Sequence, residues 1–301
     1  MRGWKNPVPA DFADELKFIN WAYADTSMKT STPSPFCAAL AGCFALAIST
    51  PCHGLSYVAE VLADNPAAYW RLDEASGTTA VSSISAPAQN GTYTGGFVLG
   101  QTGALDTDLD PAVGFSVNGA FQTSGTTGTA LFSGVPSITV ELWIKPNSNQ
   151  SDIHYLEYGL SGFSLESTSL NPTFYVNNVG LGSVPLSLGA YTHVALQIDG
   201  SNARIFTNGS LSSTTPFGSS INPDGTAGGA LFLASRFASG RFVNADIDEL
   251  AVYHSALSPS RIQAHYIAAT VAVPEPMTTS LVTAALLVAG SVARRLHRKR
   301  A

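Results

Sequence analysis

Carboxylates are the residues with the most chemical potential in this 301-residue chain. A retaining glycosidase needs two of them about 5–5.5 Å apart, one acid and one nucleophile. Asp246, Asp248 and Glu249 come nearest to such a grouping. On a regular strand Asp246 and Asp248 share one face and Glu249 points to the other, so no single groove receives an acid and a nucleophile. Glu141 is alone on its strand with Trp143 on the same face. That pair could stack against a sugar, but the preferred reading is an amphipathic strand with one wet face. Asp106-x-Asp108-x-Asp110 opens like an EF-hand loop, but its sixth position is Pro111 and its twelfth Val117. Without Gly and Glu at those places an EF-hand is excluded, leaving an acidic solvated loop or weak calcium coordination. The six histidines, His53, His154, His193, His254, His265 and His297, show neither His-x-His nor His-Glu-x-x-His spacing. Zinc chemistry therefore lacks ligands. No Gly-x-Ser-x-Gly elbow is present to support a hydrolase triad. The sequence predicts no catalytic residue.

Charge narrows the partners. Leu55 to Ala272 contains six basic and 16 acidic residues, a net of −10. Counterion release from a polyanion needs clustered Lys and Arg, so nucleic-acid binding is excluded. Cys37, Cys43 and Cys52 all precede this stretch, which leaves it without a disulfide or a thiolate metal site.

The elements that would position these groups are strands. From Asn65 to Ala269 short apolar alternations sit between Gly, Ser and Thr turn signals, which predicts an all-β sandwich. Ile138, Val140, Leu142 and Ile144 share one strand face, and Thr192, Val194, Leu196 and Ile198 repeat the pattern. Asn208-Gly209 between Ala203–Thr207 and Ser210–Ser213 predicts a type I′ hairpin. Asp246–Tyr253 forms the last strand, and one short helix follows. Ser258 is its N-cap and Pro259 its N1 residue, with Leu257 and Ile262 as a hydrophobic staple.

Both ends read as addresses. An apolar run from Phe36 to Ile48, preceded by Met28-Lys29 and followed by Thr50-Pro51, reads as a secretory signal peptide over 28–54, cut between Ser49 and Ser56. Residues 1–27 then form an upstream extension that does not belong to the working protein. Leu40-Ala41-Gly42-Cys43 also fits a lipid-attachment motif, although the apolar run continues beyond it. At the other end, Val273-Pro274-Glu275-Pro276 precedes 17 apolar residues, 277–293, and then the basic run Arg294–Arg300. Seventeen residues is the lower limit for one transmembrane helix, and the basic run would stay cytoplasmic. The three parts in order resemble the PEP-CTERM sorting signal of bacterial envelope proteins. That resemblance implies an exosortase-type enzyme acting near Pro274, Glu275 and Pro276.

The order of segments between the addresses resembles the laminin G-like branch of the concanavalin A-like lectin/glucanase fold. The matching pieces are Tyr69–Glu74, Asp106–Phe115, Ile138–Trp143, Tyr191–Ala195, Ile205–Gly209, Ile247–Leu250 and Leu257-Ser258. Tyr191 stands where the family usually has Trp, and Asn118 where Asp usually precedes Gly. The resemblance implies a jelly-roll sandwich of two antiparallel sheets over 65–269, with the Asp246–Tyr253 strand as a structural edge rather than a catalytic strand. It also implies one structural Ca²⁺ tying the first strands to the last, with Asp248 and Asp73 as ligands. An alternative for those two acids is solvent or pairing with Arg71 or Arg241. The expected function is an exported, non-catalytic recognition module of the cell envelope or extracellular matrix that binds polysaccharide. A glycoside hydrolase on the same fold and a purely structural matrix protein are the rival readings.

Overall fold

Alternation at period two builds most of the molecule. The computed structural model describes residues 55–84, 89–222 and 226–271. In chain order the elements begin with α1 (Tyr57–Ala63), β1 (Ala68–Trp70), β2 (Thr79–Ala80), β3 (Gly91–Thr94), β4 (Phe97–Gln101), β5 (Ala112–Phe115) and β6 (Ala120–Gln122). They continue with α2 (Gly125–Phe132), β7 (Ile138–Pro146), β8 (Ile153–Tyr158), β9 (Phe163–Ser167), β10 (Thr173–Val176) and β11 (Val179–Ser183). The last group is β12 (Thr192–Ile198), β13 (Asn202–Thr207), β14 (Ser210–Pro216), β15 (Leu231–Leu233), β16 (Ala245–Tyr253) and α3 (Pro259–Thr270).

These strands form two antiparallel eight-stranded sheets, as expected of a jelly-roll sandwich. The first runs β14-β13-β12-β7-β16-β5-β4, with β1 also paired to β16. The second runs β11-β10-β9-β8-β15-β6-β3-β2. Ile138, Val140, Leu142 and Ile144 of β7 and Val194, Leu196 and Ile198 of β12 face the space between the sheets. There they meet Phe163, Leu165, Phe174 and Val176 of the second sheet in one hydrophobic core. Asn208 and Gly209 both take positive φ, 51° and 72°, and join β13 to β14 as the hairpin requires. Ser258 caps α3 by accepting from the Arg261 amide, with Pro259 at the helix start.

Two expectations are corrected. The second face of β7 is not wet: Glu141 and Trp143 are fully buried. Helices α1 and α3 lie over this face, and Tyr57, Val61, Ile262, Ala268 and Ala269 pack with Trp143, Ala195, Phe206 and Tyr253 into a second core. A polar residue on that face is tolerated because it is hydrogen-bonded, so alternation alone misjudged the exposure. Nor is the Asp246–Tyr253 segment an edge, since β16 pairs with β7, β5 and β1 and sits in the body of the first sheet. No described helix is long and apolar enough to cross a membrane. The segment 28–54 read as a signal peptide, and the segments 273–276 and 277–293, lie outside the described residues.

Candidate functional site

Two clusters of titratable groups stand out, and each is built on a strand irregularity. The first gathers around Asp248. A register shift between Asp248 and Ala251, with Glu249 at φ 54°, turns Glu249 out of the regular alternation. Asp248 and Glu249 thereby converge with Asp110, each offering an oxygen within 4.8 Å of the others. The expectation that Glu249 points away from Asp248 is overturned by this bulge. Asp246 stays apart, paired with Lys145 Nζ at 2.6 Å and accepting from Asn147 Nδ2 at 2.8 Å.

Arg71, just after β1, is the cation of the cluster. Its Nη2 binds Asp110 and, at 2.9 Å, Asp108, its Nε lies 3.4 Å from Glu249, and its Nη1 lies 3.7 Å from Asp73. Asp73 thus sits at the rim, on the far side of Arg71, and Asp110 and Glu249 are the acids next to Asp248. Within the acidic loop Asp110 is withdrawn from solvent, its side chain 7% exposed, whereas Asp108 stays 41% exposed. Tyr69 donates its hydroxyl to Glu249 Oε2. The Ala104 amide donates to Asp248 Oδ2 at 2.8 Å. Gly103 permits that approach: a Cβ there would stand 2.0 Å from the Asp110 carbonyl and 3.3 Å from Asp248 Oδ2.

Five acids, Asp73, Asp108, Asp110, Asp248 and Glu249, gather around one guanidinium. Burial, then the charge of Asp110, pushes Asp248 well above the usual carboxylate range; burial, then Asp248, does the same to Glu249. Burial, offset in part by Arg71, raises Asp110 to about 6. Asp248 Oδ1 and Asp110 Oδ2 are buried without a hydrogen-bond partner among the described residues. Orphaned carboxylate oxygens at this spacing fit a hard divalent cation with oxygen ligands at about 2.3–2.6 Å. Asp110, Asp248 and Glu249 would hold it, and the ion would supply neutralisation and a cross-link between β16 and the loop before β5.

The second cluster lies on the outer face of the second sheet. Phe163, Leu165, Phe174 and Val176 point inward from β9 and β10, so Ser164, Glu166 and Tyr175 point outward. A register shift between His154 and Leu156 lets His154 and Glu157, three residues apart on β8, join that same face. His154 is opposite Glu166, and Glu157 is opposite Ser164. With Leu160, Asn178, Arg236 and Arg241 these residues line a cleft of about 270 Å³.

His154 is the centre of this cleft. Its Nδ1 meets Glu157 Oε2, while its Nε2 lies 2.9 Å from both Glu166 Oε2 and Arg241 Nη1. One ring nitrogen donates or accepts but does not do both, so either Glu166 or Arg241 keeps hydrogen-bonding capacity for a ligand. Burial pushes the Glu157 carboxyl up, against the pull of His154. Arg241 also binds Asp152 through Nε at 3.1 Å. Neither Glu157 nor Glu166 was singled out by sequence reasoning, because residues 154 and 157 fall on opposite faces of a regular strand.

The remaining histidines of note are structural. His193 Nε2 lies 3.1 Å from Glu141 Oε2, and His265 bridges Glu141 Oε1 at 2.9 Å and Asp64 Oδ2 at 3.0 Å. All of these except Asp64 are fully buried, which takes Glu141 and Trp143 out of consideration as a sugar platform.

Residues 115–263 match the laminin G-type model of the concanavalin A-like lectin/glucanases superfamily. No curated protein matches the chain by sequence. Among solved structures, the binding domain of botulinum neurotoxin serotype G aligns with a TM-score of 0.50 at 13% identity, over 67% of this chain and 50% of that one. The binding domain of botulinum neurotoxin DC in complex with SialylT gives 0.50 at 13%, over 67% and 51%. Domain 4 of AbnA, a GH43 extracellular arabinanase from Geobacillus stearothermophilus, in complex with arabinotriose, gives 0.46 at 19%, over 66% and 97%. The alignment thus spans about half the length of the two neurotoxin domains. The two antiparallel sheets and their order agree with that family match over residues 115–263.

Proposed function

We propose that the protein is an exported recognition module of the cell envelope or extracellular matrix, and that it binds polysaccharide in the His154–Glu157–Glu166 cleft. The observation that carries this is the cleft itself. Carboxylates and guanidinium groups line it together with Tyr175 and Asn178, which suits sugar hydroxyls and a ring face. A non-catalytic role is supported by the position of His154, which engages both carboxylates and stands between them. The fold is shared by binding domains and by enzymes, so the chemistry of the site decides. A structural Ca²⁺ held by Asp110, Asp248 and Glu249, with Asp73 at the rim, belongs to this reading. So do a signal peptide, membrane insertion through 277–293 and exosortase-type processing near Pro274–Pro276.

A glycan array with the purified full chain tests the binding, with reducing-sugar release measured in parallel. The expected result is retention on at least one polysaccharide with no sugar released. Tyr175→Ala should weaken it about tenfold, in the range of ~1.4 kcal/mol from a lost stacking surface. Release of reducing ends that Glu166→Gln abolishes would replace the module with an enzyme. Failure of the folded chain to bind any glycan would leave the structural matrix reading.

A further inference from the structure

Resting on that reading, we propose that the cleft selects a carboxylate-bearing sugar residue within an otherwise neutral polysaccharide, and that Arg236 grips the carboxylate. Arg236 is the least satisfied charge in the cleft. Among the described residues its one ionic neighbour is Glu157 Oε1, 3.8 Å from Nε and beyond hydrogen-bond range. The other Glu157 oxygen is taken by His154 Nδ1. Arg236 Nε is buried without a hydrogen-bond partner among the described residues. Its guanidinium lies over the Phe237 ring, 5.3 Å from the centroid, which fixes the plane of the fork.

The segment that presents this fork is held in an unfavourable backbone. Ala234, Phe237, Ala238 and Arg241 all have φ between 50° and 62°, a conformation that costs non-glycine residues free energy and gathers at ligand clamps. A tight turn maintains it, with the Arg236 amide donating to the Gly240 carbonyl at 2.8 Å. A planar two-oxygen anion matches a guanidinium fork in both geometry and charge, whereas a vicinal diol matches geometry alone. The excess of ten acidic residues between Leu55 and Ala272 opposes a densely charged polymer. Isolated uronic acids on a neutral backbone satisfy both constraints, because the field of distant acids fades over about 8 Å at physiological salt.

Glucuronoxylan oligosaccharides and the same fragments after carboxyl reduction are the probes, titrated calorimetrically into the full chain. The acidic fragments should bind at least tenfold tighter than the reduced ones, and the preference should narrow as NaCl rises. Arg236→Gln should bring the acidic fragment to the level of the reduced one, and Arg236→Lys should restore part of the difference, with thermal melts confirming that both variants fold. Equal affinity of the wild type for the two fragments would overturn the carboxylate inference while leaving polysaccharide binding intact. A wild type that binds neither fragment, yet retains an unrelated neutral glycan on the array, overturns it as well. Silence toward every glycan removes the underlying reading itself.

Discussion

Asp248 has almost nothing to compensate its burial. Its side chain is solvent-free, Oδ2 has the Ala104 amide, and Oδ1 has no partner among the described residues. A buried carboxylate left unpaired costs several kcal/mol, so it takes a proton or a cation. Burial and the neighbouring acid favour the proton when no cation is at hand. A divalent ion reverses that preference, because the same orphaned oxygens then become ligands. Thermal melts should therefore differ by several degrees between millimolar calcium and chelator, following the ~2.7 kcal/mol that a hundredfold excess over Kd contributes. Asp248→Asn keeps the shape and deletes the charge. It should lose the calcium response and, in chelator, melt at or above the wild-type temperature. Wild-type melts that coincide in the two buffers would remove the metal from this site.

At the scale of elements, α1 and α3 are fastened to the first sheet through a buried proton. His265 on α3 stands between Glu141 on β7 and Asp64 at the end of α1, and Arg261 adds contacts to Asp64 at 2.9 Å and Glu60 at 2.6 Å. Burial works against the charge on His265, but Glu141 and then Asp64 outweigh it and raise its pKa above 6.5. For Glu141 burial is likewise outweighed, by His265 and His193, and its pKa falls well below 4.5. The signs define a window. The Glu141 contribution is present above 4.5 and lost on acidification, whereas the His265 contribution is complete below 6.5 and lost as pH rises through its folded pKa. The stability gap between wild type and His265→Gln should accordingly be widest between about pH 5 and 6 and shrink toward pH 9, read by denaturant unfolding. A gap that does not vary with pH would refute the proton clasp. The strands themselves were legible, since alternation placed β7, β12, the Asn208-Gly209 hairpin and the capped α3. What was hidden lies where alternation breaks. Bulges at residues 154–156 and 248–251 swing Glu157 and Glu249 onto the faces of His154 and Asp248. A bulge leaves no period in the sequence, and α1 covers β7 through contacts distant in the chain.

The two ends of the described domain meet in this same clasp, which bears on how the whole molecule would be processed. Ser56 accepts from the Ala59 amide at 3.3 Å and caps α1, while the Val271 amide closes α3 on the Ile267 carbonyl at 2.9 Å. Thr107 Oγ1 and the Asp106 amide hold the last turn of α3 through the Ala268 and Ala269 carbonyls at 2.8 and 2.9 Å. A cut between Ser49 and Ser56 and another near Pro274-Glu275-Pro276 would spare every one of these bonds. Trimming should therefore leave stability untouched: residues 56–273 are expected to melt within about 2 °C of the full chain, the spread of a change below ~0.5 kcal/mol in a domain of this size. Starting one residue later removes the Ser56 cap, worth about 1 kcal/mol, and should lower the melting temperature by a few degrees. On exported protein, N-terminal sequencing and intact mass should give a start between Ser49 and Ser56 and the loss of Arg294–Arg300. Deleting Arg294–Arg300 beforehand should preserve export but slow that C-terminal processing, because the cytoplasmic charge stop is gone. Mature protein beginning at Met1, or at a lipidated Cys43, would overturn the signal-peptide assignment, and unchanged processing of the deletion would overturn the sorting assignment.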